Sequence, residues 1–261
     1  MKTKYFTINV SVANIYNKPN FTSQVVTQGL LGESCEVLDE SNNWLKIKQW
    51  DNYEGWINRR QGVHSDKKYN SNFTVFEMDG VVIQRNGNNI IRDLTFGNKL
   101  IGKPKNGGFD VVLPDGEKGW TDTLLGNMSE KPNRKSIVRL ARSFLGTPYL
   151  WGGKSPHGFD CSGFIQSIFF TFNIELPRDS HQQAEFLGDN RIKRDDVQQG
   201  DLHFFQNNNK ISHVALAEDN EYFFHSQGWV KQESFNKKAL NYSQDLEDQY
   251  TFSVSMKKTL G

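Results

Sequence analysis

Tyr149-Leu-Trp-Gly-Gly-Lys-Ser-Pro-His-Gly-Phe-Asp-Cys-Ser-Gly-Phe164 passes from turn-forming residues into an apolar repeat. Small and turn residues end at Asp160. Phe164, Ile165, Ile168, Phe169 and Phe172 then recur at the spacing of one helix face. Cys161 therefore stands at or just before the first turn of a helix, with Asp160 as its N-cap. Backbone N–H groups and the helix dipole there favour an anion, which predicts a thiolate formed more readily than at the ordinary thiol pKa of about 8.5. The charge of Asp160 opposes that thiolate. The site needs a cation nearby, and histidine is the obvious supplier. The competing reading is a buried structural cysteine. Cys35, in the strand-like Glu33-Ser-Cys-Glu-Val-Leu38, fits that reading, having no histidine or glycine loop beside it.

Downstream histidines set Cys161 apart. The runs Ile211-Ser-His-Val-Ala-Leu-Ala217 and Tyr222-Phe-Phe-His-Ser226 read as strands, and Glu218-Asp-Asn-Glu221 between them carries turn chemistry. A hairpin centred near Asp219 places His213 directly opposite His225, on one face. A slip of one residue would separate them. Cys161 then serves as nucleophile and His213 as its base. His225 orients His213, and the Cys161 N–H is an oxyanion donor, with Tyr149 as a candidate second. His203, in Gly200-Asp-Leu-His-Phe-Phe205, reads as structural or half-exposed. His157 and His181 are candidates to line the cleft, and His64 reads as a surface residue. Two distant cysteines and no short-spaced His or Cys pair do not build a usual zinc site, so no metal and no cofactor are expected.

Together these residues resemble the NlpC-type cysteine peptidases, papain-like hydrolases of bacterial cell-wall peptides. The resemblance rests on Gly146-Thr-Pro-Tyr-Leu-Trp-Gly-Gly153, Gly158-Phe-Asp-Cys-Ser-Gly-Phe164, Leu176-Pro-Arg-Asp-Ser180, Gly200-Asp-Leu-His-Phe-Phe205, Ile211-Ser-His-Val-Ala215 and Phe224-His-Ser226. It carries Cys161, His213 and His225 over as the triad. It further implies that Tyr149, Asp160, Ser162 and Ser180 contact an L-Ala-γ-D-Glu dipeptide. An Asp and several hydroxyls suit a small polar peptide with a free amine. For Asp179 and Ser180, helix capping is the other reading, and both roles can hold.

Residues 1 to 130 hold no nucleophile–base set. Short alternating apolar runs separated by Gly, Pro and Asn argue for small antiparallel barrels. Tyr53-Glu-Gly-Trp-Ile-Asn-Arg-Arg-Gln-Gly62 parallels Glu117-Lys-Gly-Trp-Thr-Asp-Thr-Leu-Leu-Gly126, and Leu30-Leu-Gly32 parallels Thr95-Phe-Gly97. The period suits duplicated domains rather than a solenoid. The first unit resembles a bacterial SH3-like domain through Ala13-Asn-Ile-Tyr-Asn-Lys-Pro19, Val25-Val-Thr-Gln-Gly-Leu-Leu-Gly32, Trp44-Leu-Lys-Ile-Lys48 and Tyr53-Glu-Gly-Trp56. The second resembles it in its Gly-Trp ending and general pattern. The expected order is SH3-like barrel 1 at 1–62, SH3-like barrel 2 at 63–130 and an α+β papain-like peptidase domain at 131–261. Glu130-Lys-Pro-Asn133 reads as a linker and Ser136 to Phe144 as an amphipathic helix.

This arrangement resembles γ-D-glutamyl-L-diamino-acid endopeptidases. The resemblance implies hydrolysis of the γ-D-Glu–L-diamino-acid bond in peptidoglycan-derived peptides with a free N-terminal L-Ala. It also implies that the first barrel roofs the site, with Tyr53 as its substrate contact; the other reading of Tyr53 is packing of the barrel. An acidic residue for the substrate amine is expected in barrel 1, but the matching loop reads Asn17-Lys18. Two other functions fit the same domains. One is a hydrolase of intact wall with the barrels as anchors. The other is a non-catalytic wall-binding protein, which an intact Cys161, His213 and His225 argue against.

A net charge of +1 provides no field for nucleic acid or an anionic membrane. No apolar run is long enough to span a bilayer. The start, Met1 to Val10, lacks an apolar core and a small-residue cleavage site, and two lone cysteines make no disulfide framework. The cytoplasm is the expected location, or export if a signal peptide has been removed.

Overall fold

The computed structural model describes residues 4–84, 89–127 and 131–260. The chain divides into two compact units, Met1–Glu130 and Lys131–Gly261.

Unit 1 holds two seven-stranded antiparallel sheets. The first comprises β1 (Tyr5–Ile8), β2 (Val12–Tyr16), β3 (Val25–Leu30), β4 (Ser34–Ser41), β5 (Trp44–Lys48), β6 (Glu54–Asn58) and β7 (Gly62–Ser65). The second comprises β8 (Phe73–Val75), β9 (Asp79–Gln84), β10 (Ile90–Thr95), β11 (Lys99–Lys105), β12 (Gly108–Val112), β13 (Lys118–Thr121) and β14 (Leu125–Asn127). Their orders are β3-β2-β6-β5-β4-β1-β7 and β10-β9-β13-β12-β11-β8-β14, so each strand has its counterpart seven strands on. The weak repeat in sequence is a full repeat in topology. Because β7 runs from Gly62 to Ser65 and pairs with β1, the first sheet extends past the expected boundary at residue 62.

The matching motifs do matching work. Gly32 and Gly97 both take φ +84°, a left-handed conformation that costs glycine little. A Cβ on Gly55 would lie 2.4 Å from Ile15 Cγ2, and one on Gly119 would lie 2.3 Å from Val82 Cγ1. Glycine before each tryptophan lets strands β6 and β13 press against their own barrel cores. Phe6, Ile8, Ile15, Cys35, Leu45 and Ile57 belong to the first core. Leu31, from the first barrel's sequence, packs in the second core with Val75, Val82 and Leu100. Asn98 Nδ2 donates to the Ser11 carbonyl at 2.8 Å, and the Lys99 N–H to the Leu31 carbonyl at 2.8 Å. The two barrels are therefore one packed body.

Unit 2 opens with α1 (Arg134–Ser143), two residues earlier than the spacing predicts. Of the expected linker, Glu130 lies outside the described residues, and Asn133 is a helix cap. Its side chain accepts from the Ser136 N–H at 2.9 Å while its own N–H donates to Ser136 Oγ at 3.0 Å, a reciprocal capping box. A short hairpin, β15 (Lys154–Ser155) and β16 (Gly158–Phe159), leads into α2 (Cys161–Thr171). Then follow α3 (Ser180–Phe186), β17 (Arg191–Ile192), β18 (Leu202–Asn207), β19 (Lys210–Ala217), β20 (Tyr222–Gln227), β21 (Trp229–Ser234), α4 (Gln244–Gln249), β22 (Tyr250–Val254) and α5 (Lys257–Leu260). The antiparallel sheet order is β17-β22-β18-β19-β20-β21.

The apolar spacing predicts a helix with one buried face, but every residue of α2 is buried. Its polar residues find partners inside. Ser167 Oγ donates to the Lys154 carbonyl at 2.9 Å, Thr171 Oγ1 to the Ser167 carbonyl at 2.8 Å, and Gln166 Nε2 to the Leu176 carbonyl at 2.9 Å. Buried polar groups are tolerated when paired in this way. Among the described residues no helix is long and apolar enough to cross a membrane.

Candidate active site

Asp160 caps α2 from an extended conformation. Its carboxylate accepts from the Gly163 N–H at 2.6 Å and the Gly152 N–H at 2.9 Å. Arg178 closes on it as a two-pronged pair, Nη1 to Oδ1 at 3.0 Å and Nη2 to Oδ2 at 2.5 Å. Arg178 Nη1 also donates to Ser162 Oγ at 3.1 Å. The cation that answers Asp160 is thus Arg178, correcting the assignment of that task to histidine. The guanidinium is only 1% exposed, so the pair is held by geometry and hydrogen bonds in a desolvated setting. Gly163 has no room for a side chain, since a Cβ there would meet the Gly153 carbonyl oxygen at 2.1 Å. The glycines of the loop and of the first helical turn let the loop backbone lie directly on the helix.

Cys161 is buried at the start of α2, with 9% of its surface exposed. The backbone N–H groups of Ser162 and of Val214, the residue after His213, come near enough to its sulfur to favour the thiolate. That approach brings α2 and β19 together at the two residues expected to share a proton. Burial pushes the thiol up to about 12, the charge of Asp160 adds to the rise, and Arg178 with the two N–H groups opposes it. This overturns the expectation of a readily formed thiolate. The dipole and N–H groups are present, but desolvation of the charged form outweighs them.

His213 projects from β19, and its Nε2 lies 2.8 Å from His225 Nδ1 on β20. The rings meet edge to face, with centroids 5.0 Å apart. The hairpin pairing differs from the expected one. Leu216 pairs with Phe224 and Ala217 with Phe223, so each partner lies two residues further along β20 than the sequence centre implies. A shift of two keeps both histidines on one face, because side chains alternate with period two. They meet on the diagonal rather than directly opposite, which long rings can bridge. Burial, followed by the neighbouring His225, holds His213 well below the ordinary 6.5. His225 is fully buried and also lowered by burial, against a pull upward from Glu233. Both cysteine and histidine thus favour their neutral forms.

Glu233, on β21, ends with Oε2 at 3.0 Å from His225 Nε2. Its other oxygen lies 2.8 Å from Lys231 Nζ. Burial opposes its charge, yet the close approach of His225 and Lys231 prevails and pulls it down to about 2. Neither Glu233 nor Arg178 figures in the site as read from sequence. Arg178 stands inside the quoted Leu-Pro-Arg-Asp-Ser motif and is legible there as a basic residue needing a buried partner. Glu233 carries no such signal, since its place depends on how β20 pairs with β21.

Tyr149 is half-buried beside these groups. Burial, then the charges of Cys161 and Asp160, push its hydroxyl up to about 12, so it remains a proton donor. Ser162 is bound to Arg178, and Ser180 is buried in the first turn of α3, after Asp179 as its cap. Gln183 of α3 donates to the Ser162 carbonyl at 3.1 Å, tying that turn to the start of α2. Ser226 Oγ donates to the Phe159 carbonyl at 2.8 Å, pinning β20 just before Asp160. His157 and His181 are exposed, and His64 is exposed on β7. His203 is wholly buried and holds Ser253 Oγ with Nδ1 at 2.9 Å, a structural histidine. Tyr53 lies half-buried in unit 1, where its N–H donates to Asp51 Oδ1 at 3.1 Å.

Known proteins share this organisation. The NlpC/P60 family model matches residues 146–246, and the bacterial SH3 domain model matches residues 11–61. A γ-D-glutamyl-L-lysine dipeptidyl-peptidase of Bacillus subtilis is 31% identical over 206 residues, covering 74% of this chain and 69% of that protein. The protein of the same name from Bacillus cereus is 28% identical over 217 residues, 74% of this chain. The match spans 65% of the Bacillus cereus protein's own length. The crystal structure of an NlpC/P60 family protein from Bacillus cereus superposes with a TM-score of 0.86 at 21% identity, covering 98% of this chain and all of that one, a likeness of fold. With the buried cysteine at a helix start, the paired histidines on one sheet face and these matches along most of its length, the chain belongs to the NlpC/P60 family of cysteine peptidases.

Proposed function

We propose that the protein hydrolyses the γ-D-Glu–L-diamino-acid bond of peptidoglycan-derived peptides that carry a free N-terminal L-Ala. The observation that carries this reading is the arrangement of Cys161, His213 and His225, with Val214, next to His213, near the buried Cys161 at the start of α2 and 2.8 Å between the histidines. Cys161 is the nucleophile, and the His213 nitrogen not engaged by His225, Nδ1, takes its proton. Because both groups rest neutral, this transfer accompanies attack on the substrate carbonyl. The Cys161 N–H and the Tyr149 hydroxyl supply the developing oxyanion with donors. The C–N bond breaks as His213 returns the proton to the departing amine. Water, deprotonated by His213, then cleaves the thioester and frees Cys161.

Ser162, Ser180 and Asp160 favour a short polar peptide. Asp160 is already bound by Arg178 and two backbone N–H groups, so a substrate ammonium would join an existing network. The γ-D-glutamyl-L-lysine named for the two Bacillus relatives supports the bond assigned here. Turnover of free muropeptides in the cytoplasm is the setting we propose.

Mass spectrometry of products tests this directly. L-Ala-γ-D-Glu joined to L-Lys or to meso-diaminopimelate should release the L-Ala-D-Glu dipeptide. The same peptides acylated on the N-terminal amine, or still carrying muramic acid, should stay intact. Equal cleavage of free and acylated peptides would overturn the free-amine requirement. Cleavage at another bond would overturn the substrate.

A further inference from the structure

Beyond Cys161, His213 and His225, the contacts continue along β21. His225 and Lys231 pair directly across β20 and β21, and Phe223 pairs with Glu233. Glu233 therefore shares a sheet face with His225 one pair away and reaches it diagonally. We infer that Glu233 is a positioning residue whose carboxylate, held by Lys231, selects the tautomers of both histidines and leaves His213 Nδ1 free as the base. The inference rests on the reading of Cys161 as nucleophile and His213 as base.

The argument follows the protons. An ionised carboxylate only accepts hydrogen bonds. Lys231 Nζ occupies Glu233 Oε1 at 2.8 Å, and Oε2 faces His225 Nε2 at 3.0 Å. These last two atoms are not aligned as a hydrogen bond, but a ring lone pair 3.0 Å from a carboxylate oxygen would be repelled, so the charge of Glu233 favours a hydrogen on His225 Nε2. In a neutral imidazole the other nitrogen, Nδ1, is then an acceptor. It lies 2.8 Å from His213 Nε2, which must donate to it. His213 in turn keeps its hydrogen on Nε2 and an open lone pair on Nδ1. When that lone pair takes the Cys161 proton, His213 becomes an imidazolium whose Nε2–H still points at His225. No further proton moves, and the charge of Glu233 stabilises the cation through His225. An amide in place of the carboxylate can donate as well as accept. The opposite tautomers become equally available, and in them Nδ1 of His213 is already protonated. The selecting signal reaches the base across two rings, in the way outer partners orient metal-bound histidines.

The test uses the full chain and the free tripeptide substrate. Glu233→Gln should lower kcat about 10–100-fold, the range of comparable outer-partner losses, with KM within about twofold. The acid limb of its pH–rate profile should move to lower pH, because the carboxylate raises both histidines. Loss of mere packing would leave that limb in place. A wild-type kcat with an unmoved acid limb would overturn the inference. Nitrogen-15 NMR of the unsubstituted protein gives a reading independent of any variant. His225 should be protonated at Nε2 and bare at Nδ1, and the reverse tautomer would overturn the inference. Cys161→Ala and His213→Ala, measured alongside, separate the two claims. If they abolish turnover while Glu233→Gln behaves as wild type, only the positioning role falls. If they retain turnover, the catalytic reading itself falls.

Discussion

In the proposed mechanism Cys161 and His213 exchange a proton, and burial works against the charged form of each, which favours the neutral pair. A base must be unprotonated to act. Desolvation holds His213 well below 6.5, so it stays competent as pH falls through the range where an exposed histidine would be lost. The alkaline side moves the other way, since the thiol lies near 12. The pH profile of kcat/KM should therefore be broad, with its acid limb below pH 6.5. Measured on the free tripeptide, a limb at or above 6.5 would show that His213 is more solvated or more strongly paired with negative charge than its surroundings imply. The sequence places Cys161 correctly at a helix start but does not give its ionisation. The dipole is a local property of the chain, whereas desolvation comes from the sheet that closes over it.

Elements decide which residues meet. The hairpin of β19 and β20 is legible as two strands and a turn, yet its register is displaced by two residues. The histidine pair survives because strand geometry repeats every second residue. The fully buried α2 also departs from its expected single face, because Gln166 and Ser167 find partners in segments outside the helix and Thr171 bonds back to the Ser167 carbonyl. The start of α1 was within reach of the sequence, since Asn133 and Ser136 are spaced as a capping box. Replacing Asn133 with Ala should cost about 1 kcal/mol of stability, the usual value of such a cap. Denaturant unfolding of unit 2 measures it. An unchanged midpoint would mean that packing of Ile137, Val138 and Ala141 alone sets the helix end.

For the whole molecule, buried neutral histidines couple stability to pH. His203 is lowered to about 3 by burial, the nearby Arg194 adding to the fall. An unfolded histidine titrates near 6.5, so its contribution is complete above that pH and declines as pH falls from 6.5 toward 3. The loss is roughly 1.4 kcal/mol per pH unit across that window. His203→Leu should flatten the acid side of the Tm–pH curve. A slope identical to wild type would remove His203 from acid unfolding. Unit 1 shows a different economy, in which one strand order is used twice and Leu31 and Asn98 join the two cores.

Local chemistry was enough to show where helices begin, where chains turn and which side chains can act. Asp160 before Cys161, the repeated Gly-Trp strings and the two histidine-bearing strands all report on neighbours along the chain. Contacts between distant segments were decided only by tertiary structure. Arg178 reaches Asp160 across the fold, Val214 comes near Cys161, and Glu233 lies beside His225 through the pairing of β20 with β21. The same packing sets the protonation of the site, because the cost of a buried charge depends on what surrounds it in space rather than on what precedes it in sequence.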